Sequence, residues 1–280
     1  MNPVMWNNLA TRENYRKLLD RGIKFIEPDT GDMACGENGT GRFPEPKSIL
    51  EFSLSYIKEN QILKNQFKNI SILITAGPTI EEIDPIRFVS NKSSGKQGFE
   101  IASELTRRGA QVTLISGPVN IPFPNCKNII QVKTAQEMLD NVTQQLPTDI
   151  LICSAAVADW KLIPKTSSNN KIDTNNKIKK TNKKLFFENK KNPDILESIS
   201  KSNVRPKIVI GFSAETTNIN QNAHSKLMSK NIDLIIANDV SNNKVFGEDF
   251  NKVSLIEKNN YEEWKKQSKK SVAFHLANKI

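Results

Sequence analysis

One stretch of the 280-residue sequence restricts the possible folds more than any other. It runs from Ile72 to Pro118 and reads ILITAGPTIEEIDPIRFVSNKSSGKQGFEIASELTRRGAQVTLISGP. Ile72–Ala76 is a short β-branched apolar run that stops at a glycine, the pattern of a strand buried on both faces. After Gly98 the period changes: Phe99, Ala102, Leu105 and Thr106 share one helical face, while Glu100, Glu104, Arg107 and Arg108 fall mostly on the other. Gly109 suits a C-cap and Gln111–Ser116 is a second β-branched run. Strand, long loop, helix and strand predict a right-handed βαβ unit.

The turn Ser93-Ser94-Gly95-Lys96-Gln97-Gly98 sits where that helix opens. Small residues with free N–H groups at a helix start can hold an anion, and Lys96 can add charge. The spacing matches neither the Walker A pattern nor GxGxxG, so an ordinary glycine-rich turn fits equally well.

Downstream, strand and helix patterns keep alternating. Thr134–Leu146 reads as a helix with a Thr134/Glu137 capping box, and Asp149–Ala158 as a buried strand ending at Asp159. Chemistry in parallel sheets gathers at strand carboxyl ends, so Asp159 can hold a metal or a substrate amine, or simply cap a turn. Pro193 opens another helix; Lys207–Phe212 is a strand followed by Ser213-Ala214-Glu215-Thr216. A helix carrying Lys226 and Lys230 precedes the strand Asp233–Ala237. Phe246–Glu257 reads as a hairpin and Glu262–Ile280 as a terminal helix. The fold class expected is α/β, a doubly wound, mainly parallel, Rossmann-like sheet.

Two regions depart from this alternation. Residues 161–191 hold ten lysines against Asp173 and Glu188, with Leu185-Phe186-Phe187 their apolar piece. Such a segment is too polar to pack and reads either as a flap closing over a polyanion or as a solvated loop. Residues 1–66 carry a helix over Ala10–Leu19 with Thr11 as N-cap, and an extended piece at Phe25–Pro28. There follow a glycine-punctuated loop, Gly31–Arg42, containing Cys35, and a helix over Pro46–Lys58. Residues 59–70 read as a linker, and the segment has too little apolar patterning to close a core. Cys35 fits a thiol held near a ligand or a small apolar residue.

The net charge of +10 suits an anionic partner or a general Lys/Asn bias of composition. The charge forms no arginine-rich, aromatic-interleaved stripe, which argues against nucleic acid. No apolar run approaches the roughly 20 residues of a membrane helix, and the N-terminus lacks the pattern of a secretory signal. Three cysteines without zinc or disulfide spacing suit a reducing cytoplasm.

Six motifs occur in one order: TAGPTIEEIDPIRFVSNKSSGKQG, SAAVADW, KIKK, NPDIL, GFSAET and LIIANDVS. Together they resemble the phosphopantothenate–cysteine ligase half of bifunctional coenzyme A biosynthesis proteins, over about residues 70–258. The resemblance implies activation of the 4′-phosphopantothenate carboxylate by CTP and Mg2+, giving an acyl-cytidylate, then displacement of CMP by the amine of cysteine. It implies nucleotide-binding positions at Ala155, Asp159, Lys177, Pro193, Asp194, Ile195, Leu196, Phe212, Lys226 and Lys230. Lys177 matches a lysine acting on the phosphates, and Asn91 an asparagine needed to convert the acyl-cytidylate. Arg87 lies in the same substrate-facing loop, and Gly77 with the Ser93–Gly98 turn would supply N–H donors. It further implies a homodimer with this loop reaching across the interface.

MNPVMW and GDMACGENGTGRF resemble the end of the flavin-dependent phosphopantothenoylcysteine decarboxylase family. Asn2 matches an asparagine of its PxMNxxMW motif, without the proline, and Cys35 its proton-donating cysteine. Phe43 stands where a methionine is usual. The only histidines, His224 and His275, lie outside this segment. The expectation is a ligase domain over 67–280 behind a 1–66 decarboxylase remnant, as from gene fission, an internal start or decay. FMN would bind only if a separate polypeptide supplied the rest. The competing readings are such a flavin decarboxylase subunit acting in trans, and a non-enzymatic nucleotide- or nucleic-acid-binding module.

Overall fold

The computed structural model of the chain describes residues 1–166, 168, 170–180, 184–241 and 247–280, and only the backbone of residues 59 and 60. The chain divides into two compact units, 1–64 and 65–280.

In the first unit, α1 (Pro3–Asn7) is capped by the side chain of Asn2, and α2 (Leu9–Asp20) by that of Asn8. The cap of the second helix therefore lies earlier than the expected Thr11: the Asn8 Oδ1 accepts the Ala10 N–H at 2.9 Å. Neither helix buries a residue. β1 (Asp29–Asp32) and β2 (Asn38–Arg42) pair antiparallel around an exposed Cys35. α3 (Pro46–Lys64) runs past the expected Lys58 into the residues read as linker, because Asn, Gln and Lys there include no helix breaker.

The second unit is built on one eight-stranded sheet. Its elements are β3 (Ser71–Ala76), β4 (Ile80–Glu82), β5 (Phe88–Ser90), α4 (Lys96–Arg107), β6 (Gln111–Ser116), β7 (Asn128–Gln131), α5 (Ala135–Gln144), β8 (Ile150–Cys153), β9 (Trp160–Lys165), β10 (Phe186–Lys191), α6 (Ile195–Ser200), β11 (Ile208–Glu215), α7 (Ile219–Ser229), β12 (Leu234–Asp239), β13 (Phe250–Ile256), β14 (Tyr261–Ser268) and α8 (Lys269–Lys279). The strand order is β14-β13-β12-β11-β8-β3-β6-β7. The block from β12 to β7 is parallel; β13 and β14 are added antiparallel at one edge.

Alternation along each parallel strand feeds two cores. Ile72, Ile74, Leu114, Ile150, Ile152, Ile210, Leu234 and Ile236 pack on one face with Phe99, Ala102 and Leu105 of α4 and Val272 and Leu276 of α8. Leu73, Ile115, Leu151, Val209 and Ile235 point the other way, against Met138 and Val142 of α5, Ile195 and Ile199 of α6, and Leu227 of α7. The expected capping box of α5 is present.

Four expectations need correction. Arg108 is not on a solvated face but fully buried. It donates to Glu104 (2.7 Å), Gln66 (2.7 Å), Asn278 (2.6 Å) and the Phe274 carbonyl (3.1 Å), and its guanidinium lies 4.7 Å from the Phe274 ring centroid. A charge is tolerated there because nearly every donor is matched. Burial works to raise the Glu104 carboxyl, but Arg107 and Arg108 outweigh it and hold it below the usual glutamate range. Second, the strand read as Asp149–Ala158 ends at Cys153, and residues 154–159 are loop. Third, the hairpin is formed by β13 and β14, so 262–268 is strand and only Lys269–Lys279 is helix. Pairing with β13 along residues 261–268 wins over helical propensity there. Phe246, placed in that hairpin, lies outside the described residues. Fourth, the lysine-rich segment is not structureless at its ends: β9 and β10 pair antiparallel over their full lengths.

Candidate active site

Along the sheet the chain starts at β3, moves outward to β6 and β7, then returns to the other side of β3 with β8. The direction of winding reverses between β3 and β8, and helices diverge there, leaving a crevice at the carboxyl ends of the strands. The loops that leave these two strands continue to pair. Ala156 N donates to Gly77 O (2.9 Å), Thr79 N to Ala156 O (3.2 Å) and Ala158 N to the Thr79 hydroxyl (2.8 Å).

A cavity of about 680 Å³ occupies this crevice. Residues 91–98, 153–160, 191–196 and 212–214 line it, with Lys226, Lys230, Asn238, Asn251 and Lys269. Ten of the expected site residues are thus brought together: Asn91, Ala155, Asp159, Pro193, Asp194, Ile195, Leu196, Phe212, Lys226 and Lys230.

Backbone geometry sets the floor. Gly95, the N-cap of α4, has φ +75°, which favours glycine, and offers no side chain to cap the first-turn N–H groups. Gly98 lies so close to β3 that an added Cβ would stand 2.6 Å from that of Ala76. Lys96 does not stand free as an added charge: it bonds Asp249 (2.8 Å) and the Gly247 carbonyl (2.7 Å), tying α4 to the start of β13.

One wall is held by loop anchors. Asn91 Nδ2 donates to the carbonyls of Ala156 (3.2 Å) and Val157 (3.0 Å). Asn192 joins the 154–159 loop to the next helix, its N–H to Asp159 O (2.9 Å) and its Nδ2 to Ala158 O (2.8 Å). Asp194 then caps α6 through the Glu197 N–H (2.9 Å) and pairs with Lys230. Burial acts to raise the Asp194 carboxyl, but the Lys230 ammonium and the cap N–H outweigh it, so it lies below the usual aspartate range. Burial, helped by neighbouring Lys230, pushes the Lys226 ammonium below the usual lysine range. Among the described residues its hydrogen-bond partner is the Phe212 carbonyl, at 3.4 Å. Burial also pushes the Cys153 thiol up to about 12, which makes it a lining group rather than a nucleophile.

Two lining groups were not among the expected site residues, although Ser213 lies within the GFSAET motif. Ser213 Oγ and Asn251 Oδ1 are buried and have no hydrogen-bond partner among the described residues. Asn251 Nδ2 is engaged by Asn238 (2.9 Å) and Gln97 (3.2 Å). Unpartnered buried polar atoms are costly, so a pocket that holds them is suited to a polar ligand. Motif recognition found Asn238 and Gln97 but had no signal for Asn251, which faces the cavity only because β13 pairs with β12.

Lys177 and Arg87 do not line the cavity. Arg87 pairs with Asp84 in the turn between β4 and β5 and donates to the Ile178 carbonyl at 2.7 Å. Lys177 is exposed beside that peptide. Asn2 and Cys35 belong to the first unit, one as helix cap and the other in an exposed turn. Among the described residues no group of three or more His, Cys, Asp or Glu could hold a metal, and no helix is long and apolar enough to cross a membrane.

Comparison with known proteins adds a family. Residues 67–280 match the family described as DNA/pantothenate metabolism flavoprotein C-terminal domain, and residues 1–58 the flavoprotein family. The coenzyme A biosynthesis bifunctional protein CoaBC of Haemophilus influenzae is 39% identical over all of this chain and 67% of its own length. That of Borreliella burgdorferi is 43% identical over 98% of this chain and 67% of its own length; against Escherichia coli CoaBC the match spans 57% of the relative. The chain therefore spans roughly three-fifths to two-thirds of the length of these relatives. Among solved structures, the C-terminal domain of a CoaBC protein superposes with TM-score 0.62 at 35% identity, covering 77% of this chain and 96% of that one. A DNA/pantothenate metabolism flavoprotein from Streptococcus pneumoniae gives TM-score 0.63 at 26% identity, covering 75% and 98%.

Proposed function

The chain belongs to the DNA/pantothenate metabolism flavoprotein C-terminal domain family, and from that premise we propose that it is a phosphopantothenate–cysteine ligase using CTP. The observation that carries the reading is the cavity at the winding reversal, where all the nucleotide-binding positions implied by the resemblance except Lys177 gather around a half-buried, incompletely paired cation, Lys226.

The chemistry follows from the charges. A carboxylate is a poor acyl donor until its oxygen is turned into a phosphate leaving group. The 4′-phosphopantothenate carboxylate attacks the α-phosphorus of CTP, the bond to pyrophosphate breaks, and an acyl-cytidylate forms. The cysteine amine then attacks the acyl carbon, CMP departs, and the amine gives up a proton. Several anions must share the site, so it needs fixed cations and oriented N–H groups. Lys230 has Asp194 as counter-charge, whereas Lys226 is desolvated beside one carbonyl, so a nucleotide phosphate would offset its burial. The uncapped N–H groups of α4 suit the second anionic substrate.

Asn91 would hold the 156–157 carbonyls against the acyl-cytidylate during aminolysis, and Lys177 would act on the phosphates during activation. Mg2+ fits as an ion carried by the nucleotide, since such an ion uses only one or two carboxylates; Asp159, exposed on the rim, is the residue suited to it. Its contribution is to neutralise phosphate charge. We place the enzyme in the cytoplasm, as a homodimer.

Residues 1–58 carry no histidine. We propose that residues 1–58 by themselves do not decarboxylate phosphopantothenoylcysteine, and that any FMN site needs residues beyond these; bound flavin and decarboxylated product from a purified protein of these 280 residues would refute this. The test of the ligase is pyrophosphate release with 4′-phosphopantothenate, Mg2+ and CTP or ATP, with and without cysteine. Release that requires phosphopantothenate and ends in the amide supports the ligase and names its nucleotide; no release from folded protein overturns it.

A further inference from the structure

Asp84 has no part in the cavity, yet it is the most densely bonded carboxylate near it. Its side chain is fully buried in the turn between β4 and β5. One oxygen shapes that turn, accepting the N–H groups of Ile86 (2.9 Å) and Arg87 (2.8 Å). The other accepts both arms of the Arg87 guanidinium and, from 94 residues downstream, the N–H of Ile178 at 3.1 Å. Arg87 completes the arrangement by donating to the carbonyl of the same Ile178 at 2.7 Å. Both polar groups of one residue in the lysine-rich segment are thus gripped by a charged pair on a separate loop. Among the described residues, these are the hydrogen bonds that hold residues 176–180.

The second oxygen holds Arg87 of the same turn and, beyond that turn, reaches the segment that carries Lys177, the residue next to Ile178. The Arg87 guanidinium holds the Asp84 carboxyl well below the usual carboxylate range, so it is charged wherever the enzyme works and its bonds are charge-assisted.

We propose that Asp84 is a positioning residue of the ligase: with Arg87 it clamps the Ile178 peptide and so fixes where Lys177 stands, coupling the β4–β5 loop and the lysine-rich flap into one moving part. The proposal rests on the ligase reading for its catalytic consequence. The clamp also ties Arg87 and Lys177 to one another through the Ile178 peptide.

Asp84→Asn is the informative variant. It keeps an oxygen for the turn and presents an NH2 to Arg87 and to the Ile178 N–H. Misplacement of a reacting group by about 1 Å costs on the order of 100-fold, so pyrophosphate release should fall by about that factor. Two readouts separate positioning from plain destabilisation. First, Asp84→Asn added to Lys177→Gln should cost nothing further, since a misplaced lysine and a missing one are equivalent. Second, amide exchange at Ile178 and tryptic cleavage after Lys177 and Lys179 should accelerate in the ligand-free protein while its Tm stays within a few degrees. Should Asp84→Asn fail to fold, Ile178→Pro deletes the same hydrogen bond from the other side and should reproduce the loss and its non-additivity. Multiplying effects in the double variant, or unchanged exchange and cleavage at 177–179, overturns the proposal. If the wild-type chain releases no pyrophosphate, the ligase reading fails by itself, and exchange and cleavage still decide whether the clamp exists.

Discussion

Two walls of the second unit are held in different ways. The inner wall, made by β11, α6 and α7, lines the cavity and grows out of a packed core: Ile195, Ile199, Val209 and Leu227 are buried beneath Asp194, Lys226 and Lys230. The outer wall, the β4–β5 loop with residues 176–180 of the lysine-rich segment, stands outside the cavity lining, is exposed on most of its surface and is held through Asp84 and Arg87. The inner wall carries charges over a core, at a cost. The outer wall carries its charges in solvent. A ligase that must admit two substrates and then exclude water has use for both.

The comparison can be broken at either wall. The largest stability effect is expected beneath the frame. Arg108→Met leaves Glu104 with Arg107 alone and strips Gln66, Asn278 and the Phe274 carbonyl of their donor, and should cost about 1–3 kcal/mol, read as a lower urea midpoint, with little change in the activity of what remains folded. Lys177→Gln should do the opposite: pyrophosphate release falls by about 10²–10³-fold, the loss typical of one transition-state donor, with no change in Tm. Equal effects on stability and activity in either variant would erase the distinction. Asn91→Asp should come next. It sets a carboxylate against the Ala156 and Val157 carbonyls, so activation persists while transfer to cysteine stalls and the acyl-cytidylate accumulates, visible by mass spectrometry after a quench.

The smallest effect concerns Lys226. Its folded pKa is depressed by burial, so between that value and the ordinary one near 10.5 the unfolded chain binds the extra proton. Stability from this group therefore rises with pH across that window, and the charged form is a liability below it. Lys226→Met should raise the Tm of the ligand-free protein by a few degrees, weaken nucleotide binding, and remove this part of the pH dependence. The measurement is the difference between wild type and variant in urea midpoint from pH 8 to 10; a constant difference would deny that the buried charge is costly.

Most of the frame was legible because it depends on short-range pattern. The apolar runs at 72–76, 111–116 and 207–212 and the capping box at Thr134 each state a local structure that packing then keeps. What was misread depended on distant partners. Arg108 looked solvated because its neighbours in the sequence are polar; its actual neighbours, Gln66 and Asn278, come from the two ends of the domain. Residues 262–268 looked helical until β13 was present to pair with them. Within the site, motifs located Asp194, Lys226 and Lys230, but Asp84 carries no sign of its role, since the peptide it grips is 94 residues away.

The two outermost strands have a consequence for the protein in concentrated solution. A sheet that does not close on itself offers unpaired N–H and C=O groups to any other strand it meets. β7 is only four residues long. β14, at the opposite border, carries a pair of acids and a pair of lysines, with Glu262 and Glu263 engaged by Lys279 and Lys252. A second copy laid along it would compete for those ion pairs and, running parallel, would bring like charges into register. The lysine and glutamate content that looks like compositional background thus puts charge on the open border, where it works against strand addition.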